Sequence, residues 1–443
     1  MAHATLFCCG LDNIKKSGLR NRVVRESLQN DRVVITGMGV ITSTGSHREN
    51  AWQAICSGQS GARRMNGITG IPDGMFLAAP VDLFGKYPGQ LKNIPLCRQT
   101  AREALLDSGI EPQKMDRTRF GCSISGHMGD TDFVVERVGK NTLIPEGKQP
   151  WWNQWLPNTA CSIVANDHDL CGPRLSNSTA CASGTIAFLV AVRSILDGQC
   201  DVMLAGSSQA IHPLFAAGFH NMRVLANHED PSQACRPFDS NRKGFVMGEG
   251  AAMLIVERLS HALDRGAQIY AEVLSGHIIT DGQHVTSLDA NSDALVHLIT
   301  TTLRSANLAP HNIHHINAHG TGTIQNDAME AQGIRRALGP AADSVCVTAN
   351  KSMLGHLVNA SGAVELAMTA LSLRDGFAPP TVNLTDPDPT FDLDCVPLIG
   401  RQQTMDHALK LSIAFGGHMA AVALRRWSGT GERKSAIQRL LAA

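Results

Sequence analysis

The sequence carries no net charge: its 443 residues hold 39 Lys and Arg against 39 Asp and Glu. That balance argues against a nucleic-acid or anionic-membrane binder held by bulk electrostatics. No apolar run approaches the roughly 18 residues of a membrane span. Aromatic residues are scarce at 5%, so a core of small aliphatic side chains is expected, which suits helices packed tightly against a sheet. The twelve cysteines contain no C-x-x-C pair, which removes zinc-ribbon and thioredoxin-like readings. Several stand in apolar runs, where a free thiol behaves as a small hydrophobe. Neither G-x-x-x-x-G-K-[ST] nor G-x-S-x-G occurs, so a P-loop and a nucleophile elbow have no support. The short apolar stretch from Ala4 to Leu11 lacks a preceding positive charge. A secretory signal is therefore not expected, and a reducing cytoplasm fits better.

What is present is an alternation. Residues 1–30 lack clear periodicity and read as a flexible N-terminal extension. From Asp31 onward, short β-branched runs begin with Val33-Val34-Ile35-Thr36-Gly37 and recur at 201–206, 252–256, 313–318, 345–349, 409–414 and 420–424. Helical stretches lie between them at 99–108, 184–197, 287–306, 326–338 and 361–374. Such alternation predicts an α/β fold. Gly37-Met38-Gly39 lacks the third glycine of a dinucleotide loop and reads as a tight turn after the first strand. The helices at 184–197 and 361–375 are apolar on nearly every face, the pattern of a helix buried in a large protein. Each follows a candidate reactive residue, and each ends in Asp-Gly, a common helix stop. The matched pair predicts an internal duplication. Its halves are expected at 31–270 and 271–427, with a C-terminal tail over 428–443.

Cys181 differs from the other cysteines by its setting, Ser178-Thr179-Ala180-Cys181-Ala182-Ser183-Gly184, directly before the first buried helix. A thiol at a helix N-terminus is expected to have a lowered pKa and a raised thiolate fraction. His319 follows an apolar strand and opens a Gly/Thr-rich loop, Gly320 to Thr323. That places it at the strand ends, where open α/β sheets bind ligands. His356 precedes the second buried helix, whose N-terminus disfavours imidazolium. Phe415-Gly416-Gly417-His418 interrupts two apolar strands as a hairpin whose backbone N–H groups could form half of an oxyanion hole. His315 and His319 lie on a strand pattern without H-E-x-x-H, so a zinc site is not expected.

These residues and their order resemble the elongating β-ketoacyl-[acyl carrier protein] synthases of the synthase II type, in the thiolase superfamily. The matching motifs are VVITGMGVIT (33–42), TACASG (179–184), RPFDSNRKGFVMGEGA (236–251), NAHGTGT (317–323), NKSMLGH (350–356), PPTVNL (379–384) and FGGH (415–418). The resemblance implies a duplicated, five-layered α-β-α-β-α fold, usually dimeric. It implies Cys181 as the acyl-accepting nucleophile, and His319 and His356 as the decarboxylation pair. Lys351 and Glu365 are implied as charged support, and Thr321 and Thr323 as pantetheine contacts. The N–H groups of Cys181 and Phe415 would form the oxyanion hole, with Phe415 also gating the acyl pocket. The implied reaction condenses a Cys-bound acyl chain with malonyl-[acyl carrier protein], releasing carbon dioxide. No metal or organic cofactor is implied, because the partner acyl carrier protein brings the phosphopantetheine. Some relatives hold a monovalent cation near the positions of Asn317, Glu330 and Glu365. Partners are a carrier protein and a second subunit, either identical or of the chain-length-factor type; nucleic acid and membrane are not among them.

Two related classes are set aside. Thiolases use a second catalytic cysteine near the C-terminus, and no Cys follows Cys395. Priming and chalcone-type synthases carry Asn where this chain has His356. A non-catalytic, chain-length-factor-like subunit of a ketosynthase heterodimer stays as the alternative reading; such subunits lack the active-site Cys, and Cys181 is present. Departures also occur: Ala414 replaces a hinge glycine and should stiffen the gate, and Met419 replaces an amide. The segment Thr323 to Asp327 is similar to synthases of type II polyketide and specialised lipid pathways. A specialised pathway with an unusual acyl chain is therefore expected.

Overall fold

The computed structural model describes residues 32–67, 71–83, 91–126 and 156–429. The expected extension over 1–30 and nearly all of the expected tail lie outside the described residues. Ten strands form the main sheet: β1 (Val33–Thr42), β2 (Phe120–Ile124), β3 (Arg174–Leu175), β4 (Val202–Gln209), β5 (Gly250–Arg258), β6 (Ala271–Thr280), β7 (His315–Asn317), β8 (Cys346–Thr348), β9 (His407–Ile413) and β10 (His418–Arg426). Their spatial order is β8-β7-β9-β10-β6-β1-β5-β4-β2-β3.

The duplication is visible in that order. The first five strands lie as β1-β5-β4-β2-β3, and the next five as β6-β10-β9-β7-β8. The directions repeat too, with two antiparallel pairings followed by two parallel ones in each set. The sets meet where Val33–Ile35 pairs antiparallel with Ala271–Val273.

Five helices complete the layers: α1 (Asn93–Ser108), α2 (Ser183–Leu196), α3 (Asp293–Ser305), α4 (Ile324–Leu338) and α5 (Ser361–Asp375). α1 covers β1 and β5, and α3 covers β6 and β10, so these are outer layers. α2 and α5 touch strands of both sets and form the middle layer. The arrangement is the five-layered thiolase-like fold. Sequence explains the placement. α3 buries one stripe, Leu295, Leu298, Ile299, Thr302 and Leu303, the spacing of a surface helix. In α5, Ser361 through Arg374 are all buried. The two middle helices meet at glycines: a Cβ on Gly184 would lie 2.6 Å from the Ala363 nitrogen, and one on Gly362 would lie 2.5 Å from the Thr185 nitrogen. Side chains there would force the helices apart.

Two local expectations need correction. Gly37-Met38-Gly39 is no turn, since β1 runs through it to Thr42 with an irregularity between Ile35 and Gly37. These glycines serve packing. A Cβ on Gly37 would sit 2.4 Å from the Ala104 carbonyl oxygen, and one on Gly39 would sit 2.0 Å from that of Thr100, so α1 lies directly on the strand. The helix expected from 287 begins only at Asp293. The Asp289 carboxylate accepts the N–H groups of Asn291 and Asp293 and turns the chain first. The ten described cysteines are free thiols. Among the described residues no helix is long and apolar enough to cross a membrane.

Candidate active site

Cys181 sits in a single 3₁₀ turn, Ala180–Ala182, that leads straight into α2. Ala180 is held at a φ of 47°. The second set repeats the device: the turn Val358–Ala360 leads into α5, and Val358 is held at a φ of 40°. A β-branched residue in that region persists only where its surroundings enforce it. By this correspondence the counterpart of Cys181 is Asn359, whose side chain donates to the Gly126 carbonyl at 2.7 Å. His356, which the sequence pairs with Cys181 by position, lies earlier, on the loop between β8 and α5.

The fold brings Cys181, His319 and His356 together, all buried. His356 Nε2 lies 3.0 Å from Cys181 Sγ, and the two imidazoles stand edge to face with centroids 5.3 Å apart. Neighbouring donors fix both tautomers. The Val358 N–H donates to His356 Nδ1 at 3.2 Å. The Lys351 ammonium, which has only protons to give, lies 3.3 Å from His319 Nδ1. Each Nδ1 is thus an acceptor, and each Nε2 carries the proton. Burial holds both imidazoles well below the usual histidine pKa, and the Lys351 and Lys410 charges push the same way. Both rings are neutral N–H donors.

Burial has the opposite consequence for the nucleophile. It pushes the Cys181 thiol up to about 12, against the lowering effects of Lys351 and of the backbone N–H groups of Cys181 and Phe415. The expectation of a lowered pKa from the helix N-terminus is therefore corrected: desolvation of the buried sulfur outweighs it. Iodoacetamide labelling of Cys181 should keep rising through about pH 9, and a plateau below about pH 8 would contradict this ordering.

Charged groups behind the histidines form a connected set. Lys351 pairs with Glu365 Oε1 at 2.6 Å, and Lys410 with Glu365 Oε2 at 2.8 Å. Glu330 accepts the N–H groups of His319 at 2.6 Å and Gly320 at 2.7 Å, and burial raises its pKa to about 7. Asp327 accepts from the backbone of Phe238, Thr321 and Gly322. Two acids from the first turns of α4 therefore hold the loop that carries His319. Sequence reasoning missed the roles of Asp327 and Lys410. The signal for Lys410 was a single charge inside an otherwise apolar strand.

A cavity of about 480 Å³ opens onto Cys181, His319 and His356. Thr321 and Thr323 line it, as do Arg223 and Lys243, and the two threonine hydroxyls lie 2.8 Å apart. Phe415 lines it beside Ile413 and Ala414. A ladder of rings runs inward from it: Phe415 to Phe219 at 6.5 Å, Phe219 to Phe245 at 5.4 Å, and Phe245 to His356 at 5.0 Å. Left-handed φ values fall on Gly416 (83°) and Gly417 (74°), not on Ala414. Alanine therefore sits in the hairpin unstrained. The Cys181, His319 and His356 ligand atoms lie within 4.8 Å of one another, a soft donor set. The neighbouring Lys351 and Lys410 ammonium groups disfavour a cation there.

The chain is similar to known proteins along most of its length. The family model described as "Beta-ketoacyl synthase, N-terminal domain" matches residues 92–262, and "Beta-ketoacyl synthase, C-terminal domain" matches 270–385. The 3-oxoacyl-[acyl-carrier-protein] synthase 2 of Coxiella burnetii is 35% identical over 415 residues, covering 90% of this chain and 99% of that protein. The tetracenomycin polyketide synthase ketoacyl synthase alpha subunit of Streptomyces glaucescens is 36% identical over 416 residues, covering 89% and 97%. The solved AntDE:AntF complex, a type II polyketide synthase acyl-carrier protein with its ketosynthase bound to the hexaketide, superposes with a TM-score of 0.83. It is 31% identical and covers 90% of this chain and 100% of that one. With both halves matched in order and relatives aligned along nine-tenths of its length, the chain belongs to the β-ketoacyl synthase family.

Proposed function

We propose that this enzyme condenses an acyl chain carried on Cys181 with malonyl-[acyl carrier protein], giving 3-ketoacyl-[acyl carrier protein] and carbon dioxide. The carrying observation is the pair of neutral imidazoles held edge to face beside Cys181, with His356 Nε2 3.0 Å from its sulfur and both rings lining the cavity. Acyl transfer forms the Sγ–acyl bond and breaks the bond to the pantetheine sulfur, which leaves with the thiol proton. Because that thiol is protonated at rest, proton and acyl group exchange together. The Cys181 and Phe415 N–H groups hold the carbonyl oxygen as it gains charge. Malonyl thioester then replaces the free carrier. The two Nε2–H groups of His319 and His356 stabilise the enolate oxygen as carbon dioxide departs, without giving up their protons. The enolate carbon attacks acyl-Cys181, and the sulfur leaves as thiolate, which takes a proton from water to restore the resting thiol.

Lys351 holds the His319 tautomer, and Glu365 holds Lys351. Thr321 and Thr323 suit the amides of a pantetheine arm. Arg223 and Lys243, exposed at the mouth, suit its phosphate and an acidic carrier. No metal or organic cofactor enters these steps, and the pantetheine comes with the carrier. The enzyme works as a homodimer or beside a chain-length-factor-like subunit, in a specialised fatty-acid or polyketide pathway. Free thiols throughout the described residues suit a cytoplasmic setting. The halves are taken as 31–270 and 271–427, which the repeated strand order supports. A purely structural chain-length-factor role would leave the Cys181–His356 contact without purpose.

The test is mass spectrometry of the Cys181 peptide after incubation with a panel of acyl carriers. A mass increase equal to the acyl group is expected for a restricted set of chains. No acylation with any carrier would sink the proposal, and equal acylation by all ordinary saturated chains would remove the specialised-pathway part of it.

A further inference from the structure

Lys410 is a charge that the condensation steps do not use. It stands in β9 between buried aliphatic residues, and its side chain is 0% exposed. An ammonium so enclosed needs a partner, and it finds Glu365 Oε2 at 2.8 Å and the Leu411 carbonyl. Glu365 is thereby shared between two ammonium groups, Lys351 on one oxygen and Lys410 on the other.

The surrounding oxygens are those at which some relatives of this fold hold a monovalent cation: Asn317, Glu330 and Glu365. In this chain they do not fit one. Asn317 Oδ1 and Glu365 Oε2 are both buried without a hydrogen-bond partner, but each Glu365 oxygen faces an ammonium, Lys351 at 2.6 Å and Lys410 at 2.8 Å. Those of Glu330 are taken by the His319, Gly320 and Asn326 N–H groups. A metal cation there would also face two ammonium charges across a desolvated space.

We propose that Lys410 is a tethered cation. Its ammonium supplies from within the chain the positive charge that a dissociable monovalent ion would otherwise supply at Glu365. By pairing with the second carboxylate oxygen it keeps Glu365 oriented, so that Lys351 stays placed against His319 Nδ1. Lys410 is thus a positioning residue. Its link to His319 chemistry rests on the condensation reading, whereas its role as a resident cation does not.

The experiment compares the full-length protein and its Lys410→Ser variant in potassium chloride and in tetramethylammonium chloride at matched ionic strength. Thermal midpoint and turnover are both read. The wild-type midpoint is expected to be the same in both salts. The variant is expected to melt lower in tetramethylammonium and to recover saturably with potassium, as for a ligand that binds only the native state. Its kcat should fall by about tenfold or more, with KM little changed, and potassium should restore it. A saturable potassium-dependent rise in the wild-type midpoint, or a variant indifferent to potassium, would overturn the proposal. If the variant fails to fold, the wild-type comparison decides alone. Because the midpoint does not depend on turnover, failure of the cation reading and failure of the condensation reading are separable.

Discussion

Replacing Cys181 by alanine should lower condensation by at least about 10³-fold while leaving malonyl-thioester decarboxylation largely intact. The separation follows from the geometry. The sulfur is the acyl acceptor, so its removal ends transfer. The two Nε2–H groups are fixed by Val358 and Lys351 and not by the sulfur, so the donors for the enolate survive. His319→Ala should do the reverse. Cys181 still acylates, since its contact is with His356 at 3.0 Å, but decarboxylation falls by about 10²–10³-fold with one donor gone. The measurements are acyl-enzyme mass and release of labelled carbon dioxide, run separately on each variant. Equal loss of both half-reactions in both variants would show that the site does not divide its work this way.

The largest expected effect on stability is at Glu365. Its carboxylate is 1% exposed and faces two ammonium groups, each 0% exposed. Glu365→Gln leaves two like charges enclosed with no counter-charge, which should cost about 3–5 kcal/mol. Adding Lys410→Met to that variant removes one of the stranded charges and should return about 1–2 kcal/mol. Lys351→Met alone should cost less than Glu365→Gln, because Lys410 still neutralises the carboxylate. Thermal midpoints at one protein concentration give the ranking. A Glu365→Gln variant as stable as the parent would mean that the two lysines find other partners or lose their protons on folding.

Much of this was legible in the sequence, for reasons that differ by residue. Cys181, His319 and His356 stand next to small residues and glycines at the ends of apolar runs, so a local window carries the information. The middle helices declare themselves because nearly every face of each is apolar. What was not legible depends on distant parts of the chain. Gly37 and Gly39 look like a turn until α1 is laid across them, some 60 residues on. The Cys181 thiol looks activated by the helix after it until the second half of the chain encloses it. Lys410 looks like one charge in a strand until Glu365 arrives opposite. In each case a neighbour remote in sequence decides what the local window does not contain.

The glycine contact between α2 and α5 has an electrostatic corollary. Each helix N-terminus carries roughly half a positive elementary charge from its aligned peptide dipoles. By letting Ala363 and Thr185 approach so closely, Gly184 and Gly362 bring two such termini to nearly the same point, beside the turns that bear Cys181 and Asn359. Duplication thus focuses on one spot a field that a single copy would supply at half strength. That field does not titrate, cannot diffuse away and needs no side chain to maintain it. Negative charge that builds on the enolate oxygen and ends on the departing sulfur is met throughout by the same fixed potential.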